Sequence, residues 1–214
     1  MREAVIQKIL DKKAIAIVRG YSPEEVLNLA RALYAGGVEL LEVTFDQKSA
    51  QLRRQTVETV KLLNRELGDK MYFGTGTVTT VEMVQLTHEA GGKFVISPDM
   101  DPDVIKATRE LGMVSIPGAL TPSEIKQAHV LGADFVKVFP VNAMGVSYIK
   151  AITAPLSNIR MLAVGGVDGS NVQAYLAAGA VGAGVAGCLF KKDWVAVGDW
   201  NKITEATRIF VEKL

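Results

Sequence analysis

A lysine at the centre of an apolar run is the first residue in this sequence that invites chemistry. Phe135-Val-Lys-Val-Phe-Pro140 sets Lys137 between valines and, beyond them, phenylalanines. In a buried strand, alternation puts Phe135, Lys137 and Phe139 on one face and Val136 and Val138 on the other. Desolvation disfavours the ammonium form, so the pKa of such a lysine falls. At its ordinary pKa of about 10.4, about one amine in 2,500 is neutral at pH 7, and a drop of about three units makes a large fraction neutral for about 4 kcal/mol. A neutral amine is a nucleophile that attacks a carbonyl and forms a Schiff base.

Leu40-Leu-Glu-Val-Thr-Phe45 supplies a second group, with Leu40, Glu42 and Thr44 sharing one face. If that face is the interior, Glu42 and Thr44 enter the same cavity as Lys137. A carboxylate there shuttles the protons that imine formation, C–C cleavage and enamine protonation require. Its charge opposes the fall in the lysine pKa, and Arg19, at the end of Ala14-Ile-Ala-Ile-Val18, offsets this by sharing Glu42 or grips a substrate carboxylate. The same three residues also suit a purely structural Arg19–Glu42–Lys137 ion network, and spacing alone leaves both readings open. In Gly74-Thr-Gly-Thr-Val78, strand alternation places Thr75 and Thr77 on one face as hydroxyl donors for a carboxylate or keto oxygen. Gly165-Gly166 and Gly187 end apolar runs ahead of helix starts, where backbone N–H groups hold a phosphate or where strands simply pack closely.

These groups need strands to carry them. Short β-branched runs alternate with helical patterns along the chain: 14–18, 40–45, 71–77, 94–98, 113–118, 135–140, 160–166 and 181–187. Ser22-Pro-Glu-Glu25 and Thr121-Pro-Ser-Glu124 read as capping boxes with proline at the first helical position, and Thr79-Thr-Val-Glu82 as the same box without proline. Eight strand–helix units in 214 residues predict a (β/α)8 TIM barrel, with a doubly wound open sheet as the alternative. The segment carrying Val5, Ile6, Ile9 and Leu10 predicts an extra N-terminal helix that plugs the barrel. No linker, low-complexity segment or charge block divides the chain, so residues 1–214 are expected to form a single domain. Pro98 and Pro117, at strand ends, read as turn markers.

Composition narrows the function classes. Twenty-four basic against twenty-three acidic residues give no field for nucleic acid or an anionic membrane, and no apolar run approaches membrane length. Cys188 is the only cysteine, so no intrachain disulfide is expected, and Met1–Leu10 is too short and too charged for a signal peptide. The expected location is the cytoplasm and the expected partner a small molecule. His88 and His129 fall in helical segments without ligand spacing, which gives no case for a metal. Gly182-Ala-Gly-Val-Ala-Gly187 matches G-x-G-x-x-G, but one helix is expected after it and no further strand, so no dinucleotide cofactor is expected.

Taken together, Ala16–Gly20, Gly36–Phe45, Gly74–Val78, Phe94–Pro98, Ile116–Ile125, Gly132–Pro140 and Ala163–Val167 resemble the 2-keto-3-deoxy-6-phosphogluconate / 4-hydroxy-2-oxoglutarate aldolases over essentially the whole length. The resemblance implies a class I, metal-independent pyruvate aldolase on a (β/α)8 barrel, commonly assembled as a homotrimer. It implies Lys137 as the Schiff-base lysine and Glu42 as the general acid/base. It further implies Arg19 and Thr77 on the pyruvate carboxylate, Pro98 and Phe139 as pocket walls, and Gly165 and Gly166 at the phosphate end. Thr44 and Gly187 complete the expected substrate-binding set.

Two positions depart from the family's pattern. Asp46 stands where many members carry a substrate-contacting arginine, and Gly187 where many carry a phosphate-binding serine. Lys191 or Lys192 compensates, or the substrate lacks phosphate. Two other readings of the same residues are a barrel isomerase or epimerase using Glu42 for proton transfer, with Lys137 stabilising an enolate, and a non-catalytic keto-acid binder.

Overall fold

The structure is a computed structural model describing residues 1–214. Its strands are β1 Ala14–Val18, β2 Leu40–Thr44, β3 Tyr72–Gly76, β4 Phe94–Ile96, β5 Val114–Ile116, β6 Gly118–Ala119, β7 Val136–Val138, β8 Met161–Val164 and β9 Gly182–Val185. All pairings are parallel, in the order β5-β4-β3-β2-β1-β9-β8-β7-β6. The two ends of that order, β5 and β6, are halves of one extended stretch interrupted at Pro117, which has no N–H to give a ladder. Its first half pairs with β4 and its second with β7, while the Pro117 carbonyl accepts from the Lys137 N–H at 2.8 Å. The sheet closes on itself through this stretch, so the fold is the expected eight-unit barrel with its fifth strand divided, and not an open sheet.

The helices are α1 Arg2–Lys12, α2 Pro23–Ala35, α3 Ala50–Leu67, α4 Val81–Glu89, α5 Pro102–Glu110, α6 Pro122–Val130, α7 Val146–Thr153, α8 Val172–Ala177, α9 Lys192–Ala196 and α10 Trp200–Val211. Both proline-bearing capping boxes form, at Ser22 with Glu25 and at Thr121 with Glu124. The third does not: the cap of α4 is Thr80, one residue later than its sequence suggests, accepting from the Met83 N–H at 3.3 Å. Thr79 instead donates to the Gln47 side chain. Two helices follow β9 where one was expected, and β9, which carries the G-x-G-x-x-G match, pairs with β8 on one side and β1 on the other. The second, α10, lies on α2 at Gly36, where a Cβ would stand 2.5 Å from Cβ of Thr207.

The strands' two faces build two cores. Outward residues such as Leu41, Val43, Phe73, Val136 and Val138 pack beneath the helices. Inward residues, among them Ile15, Leu40, Phe94, Phe135 and Leu162, form an inner cluster that Val5, Ile6 and Ile9 of α1 cap from below. Charges hold this plug in place: Lys8 and Lys12 each reach Glu39 at 2.5 Å, and Arg2 pairs with Asp134. The buried Asp134 carboxylate also takes Arg109 and the Ser115 N–H. With the N-terminal mouth filled by apolar side chains, the cavity that Lys137 and Glu42 line opens at the strands' C-terminal ends. No helix is long and apolar enough to cross a membrane.

Candidate active site

At the C-terminal mouth lies a cavity of about 560 Å³, lined by Ile17, Arg19, Glu42, Thr77, Pro98, Lys137, Phe139, Gly165, Gly166 and Gly187, with Val164, Val167, Asp168 and Cys188. Alternation in β7 puts Lys137 on the inner face above Phe135, and only 8% of the residue is exposed. Its Nζ stands 4.7 Å from the centroid of Phe139, which is 39% exposed at the rim. Burial pushes the Lys137 pKa down; the Glu42 charge works against this and the Arg19 charge with it.

Glu42 reaches the cavity from β2 and is 2% exposed. Its Oε1 accepts a hydrogen bond from Thr44 Oγ1 at 2.8 Å, and its Oε2 has no partner. Burial holds its pKa above the ordinary carboxylate value, against the pull of Lys137, the Thr44 hydroxyl and Arg19. The protein's ion pairs within 4.0 Å all lie elsewhere, so Arg19, Glu42 and Lys137 do not form the closed ion network that their spacing also allowed. A buried amine and a buried acid with a free oxygen therefore share one cavity without neutralising each other by contact. This pair can support nucleophilic attack on a carbonyl followed by proton transfer.

Arg19 stands just beyond the end of β1, exposed, with Nη2 donating to Thr77 Oγ1 at 2.9 Å. Thr77 adopts a left-handed backbone, φ 56°, immediately after β3. That turn separates it from Thr75, with which strand alternation had grouped it. Thr75 faces outward and donates to Thr87 of α4 at 2.6 Å, while Thr87 in turn donates to the Met83 carbonyl. Thr75 therefore belongs to the helix–sheet layer, and only Thr77 reaches the cavity.

Thr44 shares the Glu42 face but does not line the cavity; it borders a smaller one of about 220 Å³ with Arg19, Asp46 and Gln55. Gly165 and Gly166 turn the chain over the cavity with φ of 105° and 69°, values that favour glycine, and Asn142 packs against both. Gly187 lies at the mouth, shared with a neighbouring cavity of about 530 Å³ that Lys191 and Lys192 line. Asp46 follows β2, and its carboxylate accepts from the Lys48 N–H at 2.7 Å.

Beyond the apolar lining, two wall residues with functional groups were not expected from the sequence, Asp168 and Cys188. Asp168 stands beside the glycine turn with its carboxylate held by the Ser170 N–H and hydroxyl, which keep its pKa low. Its Asp-Gly-Ser setting signals a turn and nothing more. Cys188 is half-buried, with its thiol pKa pushed up to about 11 by burial, so it is not a thiolate nucleophile. No group of three or more His, Cys, Asp or Glu side chains is placed to hold a metal.

The comparisons agree with this geometry. The family model described as KDPG and KHG aldolase matches residues 5–206. A 2-dehydro-3-deoxy-phosphogluconate aldolase from Pseudoalteromonas atlantica is 35% identical over 84% of this chain and 81% of its own. A 2-dehydro-3-deoxy-6-phosphogalactonate aldolase from Escherichia coli is 33% identical over 83% and 84%. The solved structure of a KDPG aldolase from Legionella pneumophila, with pyruvate captured as a covalent carbinolamine, superposes with a TM-score of 0.85 at 25% identity, covering 97% of each chain. With a plugged (β/α)8 barrel, a desolvated lysine at its open mouth and a match spanning nearly every unit, this chain belongs to the KDPG and KHG aldolase family.

Proposed function

We propose that this aldolase cleaves a 2-keto-3-deoxy acid, 2-keto-3-deoxy-6-phosphogluconate or 4-hydroxy-2-oxoglutarate, to pyruvate and an aldehyde through a Schiff base on Lys137. The observation that carries the proposal is a single one: Lys137 is desolvated inside the cavity, beside a carboxyl that does not contact it. The covalent carbinolamine in the Legionella relative supports it.

The neutral Lys137 amine adds to the C2 carbonyl, and loss of water leaves an iminium. Glu42 takes the proton of the C4 hydroxyl as the C3–C4 bond breaks, and the bonding pair moves into the iminium to give an enamine and a free aldehyde. Protonation at C3 and hydrolysis then release pyruvate and restore the amine. Arg19 and Thr77, joined by their hydrogen bond, hold the C1 carboxylate, and Pro98 and Phe139 wall the reacting carbons. Gly165, Gly166 and Gly187 face the distal end of the acid. The chain acts as one barrel domain in a homotrimer located in the cytoplasm.

A second reading of substrate, an unphosphorylated 2-keto-3-deoxy sugar acid, is favoured over a phosphorylated one by Asp46 and Gly187, a carboxylate and a bare backbone at positions where a phosphate would want a cation and a hydroxyl. The 6-phosphogalactonate analogue belongs to the same reaction type.

The test of mechanism is incubation with pyruvate and borohydride, followed by mapping of the adduct by mass spectrometry. The expected product is a reduced adduct on Lys137. A folded protein with that lysine unmodified rules the Schiff base out and leaves the isomerase reading of Glu42 standing. Pyruvate release measured over paired phosphorylated and unphosphorylated acids then separates the substrates.

A further inference from the structure

We propose that Thr44 is a positioning residue for the proton-transfer step, its hydroxyl fixing the Glu42 carboxyl so that Oε2 alone exchanges protons with the substrate. The inference rests on the assignment of Glu42 as the acid/base and adds the device that aims it.

Three independent features converge on that carboxyl. Thr44 Oγ1 donates to Oε1 at 2.8 Å, and this is the only hydrogen bond that either Glu42 oxygen makes. Oε2 is buried without a protein partner, and it belongs to a carboxyl that lines the cavity a substrate would enter. On the far side, β3 presents Gly76, whose missing side chain leaves the volume in which Oε1 lies.

Chemistry gives this geometry a direction. An oxygen that accepts a hydrogen bond from a hydroxyl is the poorer site for a proton, so protonation of Glu42 falls on Oε2. Thr44 suits the task because β-branching stiffens χ1, and because at 5% exposure the residue is packed within the barrel. Residues 42 and 44 share a strand face, which puts the donor beside the acceptor without any loop to order. The same hydrogen bond stabilises the carboxylate form and partly offsets the effect of burial on Glu42.

The experiment compares Thr44→Val, which removes the hydroxyl and keeps the shape, with Thr44→Ser, which keeps the hydroxyl, and with Glu42→Gln. The readouts are exchange of the pyruvate methyl protons with deuterated solvent, and the pH dependence of kcat and KM for pyruvate release. Methyl exchange reports proton transfer at the enamine carbon without any need for C–C cleavage. In Thr44→Val, both exchange and kcat fall by about 10- to 100-fold, part of the span for losing a general acid/base outright. KM stays within about twofold, as befits a group that contacts no substrate. The pH limb assigned to Glu42 moves upward, since a hydrogen bond favouring the carboxylate is gone. Thr44→Ser restores most of the exchange rate and returns the limb toward its wild-type position.

Wild-type exchange and an unshifted limb in Thr44→Val, alongside loss of exchange in Glu42→Gln, overturn the role of Thr44 and leave Glu42 in place. Wild-type exchange in Glu42→Gln removes the acid/base assignment itself, and the inference with it. Should Thr44→Val fail to fold, Thr44→Ala lacks the same hydroxyl, and the same two outcomes decide.

Discussion

A Cβ on residue 76 would stand 1.6 Å from Oε1 of Glu42, so the glycine of β3 and the carboxyl of β2 occupy one volume. Register makes them neighbours: Thr44 pairs with Gly76, and Glu42 with Gly74. Gly76→Ala therefore drives the carboxyl out of place. The expected result is a loss of about 100-fold or more in pyruvate release, the usual worth of a well-placed acid/base. Overpacking adds a stability loss of about 1–3 kcal/mol. Initial rates and urea denaturation, run on the same preparation, check both. A variant with wild-type turnover would mean that Glu42 has freedom the packing does not suggest.

Desolvation of the pair should make the site a stability liability. The folded pKa of Lys137 lies below its ordinary value of 10.5, so its penalty is absent above 10.5, grows as pH falls toward the folded pKa and is fully present below that. The folded pKa of Glu42 lies above its ordinary 4.5, so its penalty appears as pH rises past 4.5 and is complete above the folded pKa. Both operate at pH 7. The double variant Glu42→Gln/Lys137→Met is expected to be inactive and more stable than wild type at pH 7, with its advantage shrinking as pH is raised toward 10.5. Denaturation midpoints at pH 7 and at higher pH provide the check; an advantage that grows with pH contradicts it.

Arg19 acts on the amine through its field. Its positive charge lowers the Lys137 pKa, so Arg19→Met raises it, and the amine reaches its neutral form only at higher pH. Reductive alkylation of Lys137 by an uncharged aldehyde reads this without involving a substrate carboxylate, and its pH profile should move to higher pH. With pyruvate the same variant should also lose about tenfold or more in affinity, the worth of a hydrogen bond to a charged group. An unmoved profile would confine Arg19 to binding.

Asp46 is expected to bear on substrate choice. Replacing it with arginine supplies a cation near the mouth, next to Arg19 and the Gln55 side of α3. Asp46→Arg should raise the ratio of kcat/KM for a phosphorylated over an unphosphorylated acid by about tenfold or more, as expected of one polar contact worth about 1–3 kcal/mol. The assay is pyruvate release on matched substrates. If the ratio does not change, Asp46 lies outside the substrate's reach.

Much of the barrel was legible because its signals are local. The eight apolar runs, the two proline-bearing caps and the apolar face of α1 each depend on a few adjacent residues, and each reappears in the structure. The inward facing of Phe135, Lys137, Leu40 and Glu42 follows from strand alternation once the apolar partners fix the register. The boundaries at strand ends were less legible. Strand β7 stops at Val138 and β4 at Ile96, short of the apolar runs that contain them, because the last residues of each run bend away to form the mouth. Thr75 and Thr77 show the limit most clearly, since a left-handed turn at Thr77 breaks the alternation that had grouped them.

By itself the sequence determined that Lys137 and Glu42 lie on inward strand faces and where the proline-bearing helices start, because alternation and capping depend only on near neighbours along the chain. Tertiary structure alone decided that Lys137 and Glu42 share a cavity without a salt link, that Gly76 yields its volume to a carboxyl from the next strand, and that Thr44 donates to Glu42 without lining that cavity. Those facts depend on distances between strands far apart in the chain, and barrel closure through the divided fifth strand is what sets such distances.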